Sequence, residues 1–242
     1  MIQHLLYVNH VSKHFGGNVA IADVSFSVEE KQIFGLIGPN GAGKTTLFNC
    51  ITGFFPATSG DLIFDNRKIN ALRPDEVCHL GMARTWQRVK PLGSLTVLEN
   101  VMVGAFATTD STDEAETMAT EQLKEVGLTS YSAKSAGSLP IGLKKKLELA
   151  RVLATRPKML LLDEICGGLN HTETDAILDI IRTLRSKGTT IVFIEHDMKA
   201  VTSICDRIVV LNSGEKLAEG SPEEITNNPE VIAAYLGGGH NA

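Results

Sequence analysis

Nine consecutive residues, Gly38-Pro39-Asn40-Gly41-Ala42-Gly43-Lys44-Thr45-Thr46, constrain this chain more than any other stretch. They fit G-x-x-x-x-G-K-[ST], and they lie between a strand-like run, Ile33–Ile37, and a helical pattern, Thr45–Thr52. Glycines let the backbone curl so that successive N–H groups point at phosphate oxygens. A helix starting near Lys44 adds the positive end of its dipole. In such a loop Lys44 reaches the β- and γ-phosphates, and the Thr45 hydroxyl completes a Mg²⁺ shell. The expected ligands are therefore ATP and Mg²⁺, with Gly38 to Thr46 as the binding segment.

The surrounding pattern indicates an α/β fold. Apolar, β-branched runs recur at Leu5–Val8, Val24–Val28, Ile33–Ile37, Leu62–Phe64, Met159–Leu162, Thr190–Ile194 and Ile208–Leu211. Several are apolar at consecutive positions, which suits strands buried on both faces of a largely parallel sheet. Helical patterns at Thr45–Thr52, Leu143–Ala154 and Thr172–Ser186 alternate with them. Residues 90–157 differ: they have helical periodicity without a strand, and Thr108–Glu116 reads as a polar loop or frayed helix start. One domain over 1–242 is expected, with 1–89 and 158–242 as its core and 90–157 as an inserted helical subdomain. Gly237 to Ala242 reads as a flexible tail.

Composition narrows the partners. The formal net charge of -5 offers no basic excess for neutralising nucleic-acid phosphates or adhering to an anionic membrane surface. No apolar run approaches the ~18 residues needed to cross a bilayer. The start, with Gln3 and His4, does not read as a secretory signal. A cytoplasmic location is expected, with membrane association through a partner. Cys50, Cys78, Cys166 and Cys205 are widely spaced and read as reduced, mostly buried thiols.

Two further strand ends carry candidate chemistry. Met159-Leu160-Leu161-Leu162 runs into Asp163-Glu164. An acid at such a tip can face the phosphate loop from a neighbouring strand, so Asp163 suits Mg²⁺ and Glu164 suits the general base for an attacking water. Thr190–Ile194 ends in Glu195-His196-Asp197, placing His196 where it can bond the γ-phosphate or orient that water.

With these residues in hand the chain resembles the ATP-binding subunits of ABC transporters over nearly its whole length. Walker A is GPNGAGKTT, Walker B is MLLLDE and the switch region is IEHD. The resemblance implies a P-loop NTPase (RecA-like) core with an N-terminal antiparallel β portion and an inserted helical subdomain. It also implies that Gln87, at the Q-loop position, contacts Mg²⁺ or the attacking water and links to the membrane partner. Phe15 matches the aromatic that stacks on adenine; core packing is the alternative. Gly167-Gly168-Leu169-Asn170 occupies the D-loop position.

GMARTWQ, LTVLENVMVG, IEHDM and NNPEVIAAYLG resemble the branched-chain amino acid importer group, and ATPases of lipopolysaccharide export share much of this wording. The implied function is ATP hydrolysis coupled to import of branched-chain or related small amino acids or amides. Lipid or lipopolysaccharide export, a soluble ABC ATPase and a weakly hydrolysing regulator are the alternatives. Implied partners are transmembrane permease subunits, a second ATPase subunit and a periplasmic or extracellular solute-binding protein.

One motif departs from the family. Where L-S-G-G-Q is usual, the chain reads Leu139-Pro140-Ile141-Gly142-Leu143, and Pro140 brings neither a hydroxyl nor a backbone donor. Either the helix N-terminus and backbone suffice, or this half of a shared interface is weakened, which favours a heterodimer with a related ATPase. Lys144–Lys146 reads as a solvated helix face in preference to a phosphate-binding patch. Ile165 and Cys166 replace the usual Pro-Thr with little expected effect on the chemistry, and a thiol so near the site is a candidate for oxidation.

Overall fold

A computed structural model describes residues 4–87 and 89–237, so most of the expected tail lies outside the described residues. The chain opens with two long strands, β1 (His4–Phe15) and β2 (Asn18–Glu29), which pair antiparallel as a hairpin. β1 outruns the apolar segment Leu5–Val8 because Gly16 (φ 58°) turns the chain only after Phe15. β3 (Ile33–Ile37), fully buried, leads into α1 (Lys44–Ile51). β4 (Ser59–Phe64), β5 (Arg67–Lys68), α2 (Pro74–His79) and β6 (Met82–Arg84) follow.

Three helices then run without an intervening strand: α3 (Val97–Ala105), α4 (Thr112–Glu125) and α5 (Ile141–Leu153). The polar stretch before α4 resolves into a cap, with Ser111 accepting from the Glu114 N–H. Next come β7 (Met159–Asp163), α6 (His171–Ser186), β8 (Thr190–Ile194), α7 (Met198–Ile204), β9 (Arg207–Asn212), β10 (Glu215–Gly220), α8 (Pro222–Thr226) and α9 (Pro229–Gly237).

Among the described residues the strands form two sheets, a four-stranded one in the order β2-β1-β4-β5 and a six-stranded one in the order β10-β9-β3-β8-β7-β6. The first is antiparallel; the second is parallel except for β10. The order corrects one expectation. β8 lies between β3 and β7, so the acidic strand is not the phosphate loop's immediate neighbour, and the histidine strand is. The apolar residues of all three strands fit this arrangement, which sequence alone leaves open because each is buried on both faces.

Strand alternation divides the interior. Ile33 and Ile37, Leu160 and Leu162, and Ile191 and Phe193 face a core shared with α3, α4, α5 and α6. Phe34 and Leu36, Met159 and Leu161, and Val192 and Ile194 face a second core under the antiparallel sheet. A two-residue period explains both sets at once. Among the described residues no helix is long and apolar enough to cross a membrane.

Candidate active site

The loop after β3 is shaped by backbone conformations that favour glycine. Gly38 has φ 148°, and a Cβ there would stand 2.1 Å from the Leu211 carbonyl oxygen. Gly43, the N-cap of α1, has φ 98°, and its Cβ would stand 2.7 Å from the Ala20 carbonyl oxygen. A side chain at either position would force the loop off β9 or β2. Lys44 is buried, and its Nζ donates to the carbonyls of Gly38 (2.8 Å) and Pro39 (3.0 Å). Burial lowers its pKa, opposed by the nearby Glu164 and Asp163 carboxylates. Thr45, one residue on, is exposed to the cleft.

That cleft, about 660 Å³, is lined by Asn40 to Thr46, Phe15, Gln87 and Glu164. Phe15 is 47% exposed and meets Phe55 edge-on at 5.2 Å, so its ring is open on the cleft side and is not core packing. Asn18, Val19, Ala20, Ser213 and Gly214 also line the cleft, though no residue type among them marks a nucleotide site in the sequence. Asn212-Ser213-Gly214 carries a turn signal between two strands, and Gly214 bonds both sides of the wall: its N–H donates to Ala42 (3.2 Å) and its carbonyl accepts from Ala22 (2.8 Å).

Glu164 is the centre of the opposite wall. It follows β7 with φ 49°, uncommon for a residue with a side chain, and its N–H donates to Ile194 of β8 at 2.9 Å. Gln87 Nε2 donates to its Oε2 at 2.6 Å, and His196 Nε2 makes a short contact with its Oε1. The structure thus brings Gln87, Glu164 and His196 together from three separate chain segments.

Asp163 is 1% exposed. Its Oδ2 accepts from Arg84 Nη2 at 2.7 Å, whereas its buried Oδ1 has no hydrogen-bond partner. It shares a second cleft with Thr45, Gln87, Asn49 and Arg84.

Support from below was largely invisible in the sequence. Lys145, expected on a solvated face, is 3% exposed, and its Nζ donates to the Glu164 carbonyl at 2.9 Å. The reading of Lys144–Lys146 as one surface run is corrected: α5 turns its middle lysine inward while Lys144 and Lys146 stay half-buried. Burial lowers the Lys145 pKa, countered first by Glu195. Glu195 is buried and accepts from the Cys166 N–H at 2.6 Å; burial raises its pKa. Glu148 accepts from the Trp86 N–H at 2.8 Å, and burial raises its pKa too.

Cys166 is buried, and burial pushes its thiol far above the ordinary range, which argues against the expected oxidation sensitivity. At the departing motif, Pro140 is the N-cap of α5 and no side chain caps that helix. Gly142 faces Glu173: a Cβ there would stand 2.5 Å from Glu173 Oε1.

A glycine-shaped anion cradle facing a clamped strand-end carboxylate defines a P-loop ATPase. The comparisons carry this further. Residues 21–167 match the ABC transporter family, and residues 215–241 match the branched-chain amino acid ATP-binding cassette transporter C-terminal family. The chain belongs to the ABC transporter ATP-binding family, whose activity is ATP hydrolysis.

The high-affinity branched-chain amino acid transport ATP-binding protein BraF of Pseudomonas aeruginosa is 44% identical over 98% of this chain and 99% of its own length. The ADP conformation of MJ1267, an ATP-binding cassette of an ABC transporter, superposes with TM-score 0.89 at 32% identity, covering 97% of this chain and 99% of that one. The dimeric post-hydrolysis state of the cassette MJ0796, bound to ADP and Pi, matches with TM-score 0.81 at 26% identity, over 90% and 98%.

Proposed function

We propose that this chain is the ATPase subunit of an importer for branched-chain amino acids or related small amino acids and amides. The observation that carries the reading is the Gln87–Glu164–His196 cluster facing the Lys44 loop, in a chain 44% identical to BraF over nearly its full length. The relatives favour this over lipopolysaccharide export, a soluble ATPase or a weakly hydrolysing regulator.

ATP would lie with its base against Phe15 and its phosphates in the loop from Gly38 to Thr46. Lys44 and the loop amides neutralise charge on the transferred group, which is where most of the catalytic stabilisation in phosphoryl transfer arises. Glu164 accepts the proton of the attacking water, and Gln87 and His196 hold that carboxylate in place. The open oxygen set of Asp163 Oδ1, the Thr45 hydroxyl and Gln87 fits a hard cation, since Oδ1 is buried and unpartnered. Magnesium held there would offset negative charge on the β- and γ-phosphates.

The working assembly would be a cytoplasmic pair of ATPase subunits, peripheral to the membrane, on transmembrane permeases served by a solute-binding protein. The uncapped α5 supports a heterodimer in which a related subunit carries the stronger signature. The test is co-expression with permease subunits in proteoliposomes. Uptake of leucine, isoleucine or valine that needs ATP and Glu164 supports the proposal. ATPase activity unresponsive to amino acid, with no uptake, would overturn it.

A further inference from the structure

Arg84 ends an edge strand, and its side chain is only 6% exposed. A buried guanidinium needs partners on every side, and two of its three nitrogens have them. Nη2 donates to Asp163 Oδ2 at 2.7 Å, and Nη1 donates to Asn49 Oδ1 at 2.5 Å. Asn49 lies one turn beyond Thr45 on α1, and Asp163 is the last residue of β7. The fork therefore spans the two elements that carry the oxygen groups assigned to magnesium. The guanidinium is further fixed by the Phe48 ring at 5.5 Å and the Trp86 ring at 4.7 Å.

Because Oδ2 is committed to Arg84, Asp163 has a single free oxygen, the buried and unpartnered Oδ1. We propose that Arg84 is the positioning residue of the magnesium site. It holds Asp163 by Oδ2, which would leave Oδ1 for the ion, and through Asn49 it ties that carboxylate to the helix that carries Thr45. This rests on the assignment of Asp163 to magnesium made above. Lysine could supply the charge but not the two-armed reach.

The test measures affinity for a fluorescent ATP analogue in excess Mg²⁺ and in EDTA, on the full chain. In Arg84→Met the gain in affinity conferred by Mg²⁺ should fall about 10–100-fold, the range for losing a group that orients a metal ligand. Affinity in EDTA should stay within about twofold, since Lys44 and the loop amides are untouched. Arg84→Lys should also lose most of the Mg²⁺ effect. Asn49→Ala, at a half-buried neutral residue, cuts one arm of the fork and should shift the Mg²⁺ effect the same way, even if Arg84→Met fails to fold.

An undiminished Mg²⁺ effect in a folded Arg84 or Asn49 variant overturns the inference. So does an equal loss with and without Mg²⁺. Asp163→Asn separates the two claims. If it loses the Mg²⁺ effect while the Arg84 variants keep it, only the role of Arg84 is wrong; if it keeps the effect, the assignment of Asp163 is wrong.

Discussion

Gln87 and His196 approach Glu164 from different directions and engage different oxygens: Gln87 Nε2 donates to Oε2 at 2.6 Å, and His196 Nε2 meets Oε1. A carboxylate held at both oxygens cannot rotate away from the cleft. Glu164→Gln should bind ATP within about twofold of the parent, yet lower kcat by about 10²–10⁴, the usual worth of a general base. Gln87→Ala leaves one arm of the clamp and should cost about tenfold in kcat. Phosphate release and nucleotide titration measure both; full turnover in Glu164→Gln would remove Glu164 from the base role.

Lys145 supports the same residue from its backbone. Its ammonium reaches the Glu164 carbonyl at 2.9 Å, where the φ of 49° makes the turn costly to hold. Lys145→Met removes a buried charge-assisted bond and should lower stability by about 1–3 kcal/mol. The same change at Lys144 or Lys146 should stay within about 0.5 kcal/mol. Urea denaturation of the three variants checks this, and equal effects would mean Lys145 is an ordinary surface residue.

Thiol chemistry should avoid the site. Cys166 and Cys205 are buried, and burial pushes both thiols well above the usual range, so little thiolate forms. In the folded chain iodoacetamide should leave both unmodified and react first at the half-buried Cys78. Peptide mass mapping before and after urea reads the order; rapid labelling of native Cys166 would contradict it.

Glu195 predicts a pH dependence. Burial raises its pKa above the ordinary 4.5, so the folded chain keeps this proton to higher pH than the unfolded chain does. Its contribution to stability is therefore present below the ordinary carboxylate value and is lost as pH rises through the raised one. Glu195→Gln, which keeps an acceptor for the Cys166 N–H, should gain Tm relative to the parent as pH rises through that interval. A Tm difference that does not change with pH would show that Glu195 does not titrate there.

The sequence made the phosphate loop, the acid pair and His196 legible because each follows a short apolar run that can only be a buried strand. The supporting residues were hidden for a physical reason. Lys145 and Arg84 look like surface charges by type, and only the phase of α5 and the contacts that Arg84 makes from the end of β6 with α1 and β7 turn them inward. Strand order was equally hidden, since β3, β7 and β8 are apolar on both faces and the pattern does not say which is central. The end of β1 at Phe15 was missed because its outer half alternates with polar residues.

Phe15 belongs to the antiparallel sheet, whereas Lys44 follows β3, one of the two middle strands of the six-stranded one. A nucleotide lodged between them would work as a cross-brace, turning two stacked plates into one rigid plate. The β1–β2 tip would then stiffen on filling of a loop that leaves the other sheet. Slower amide exchange around Gly16, the residue after Phe15, would make the hairpin tip a gauge of occupancy.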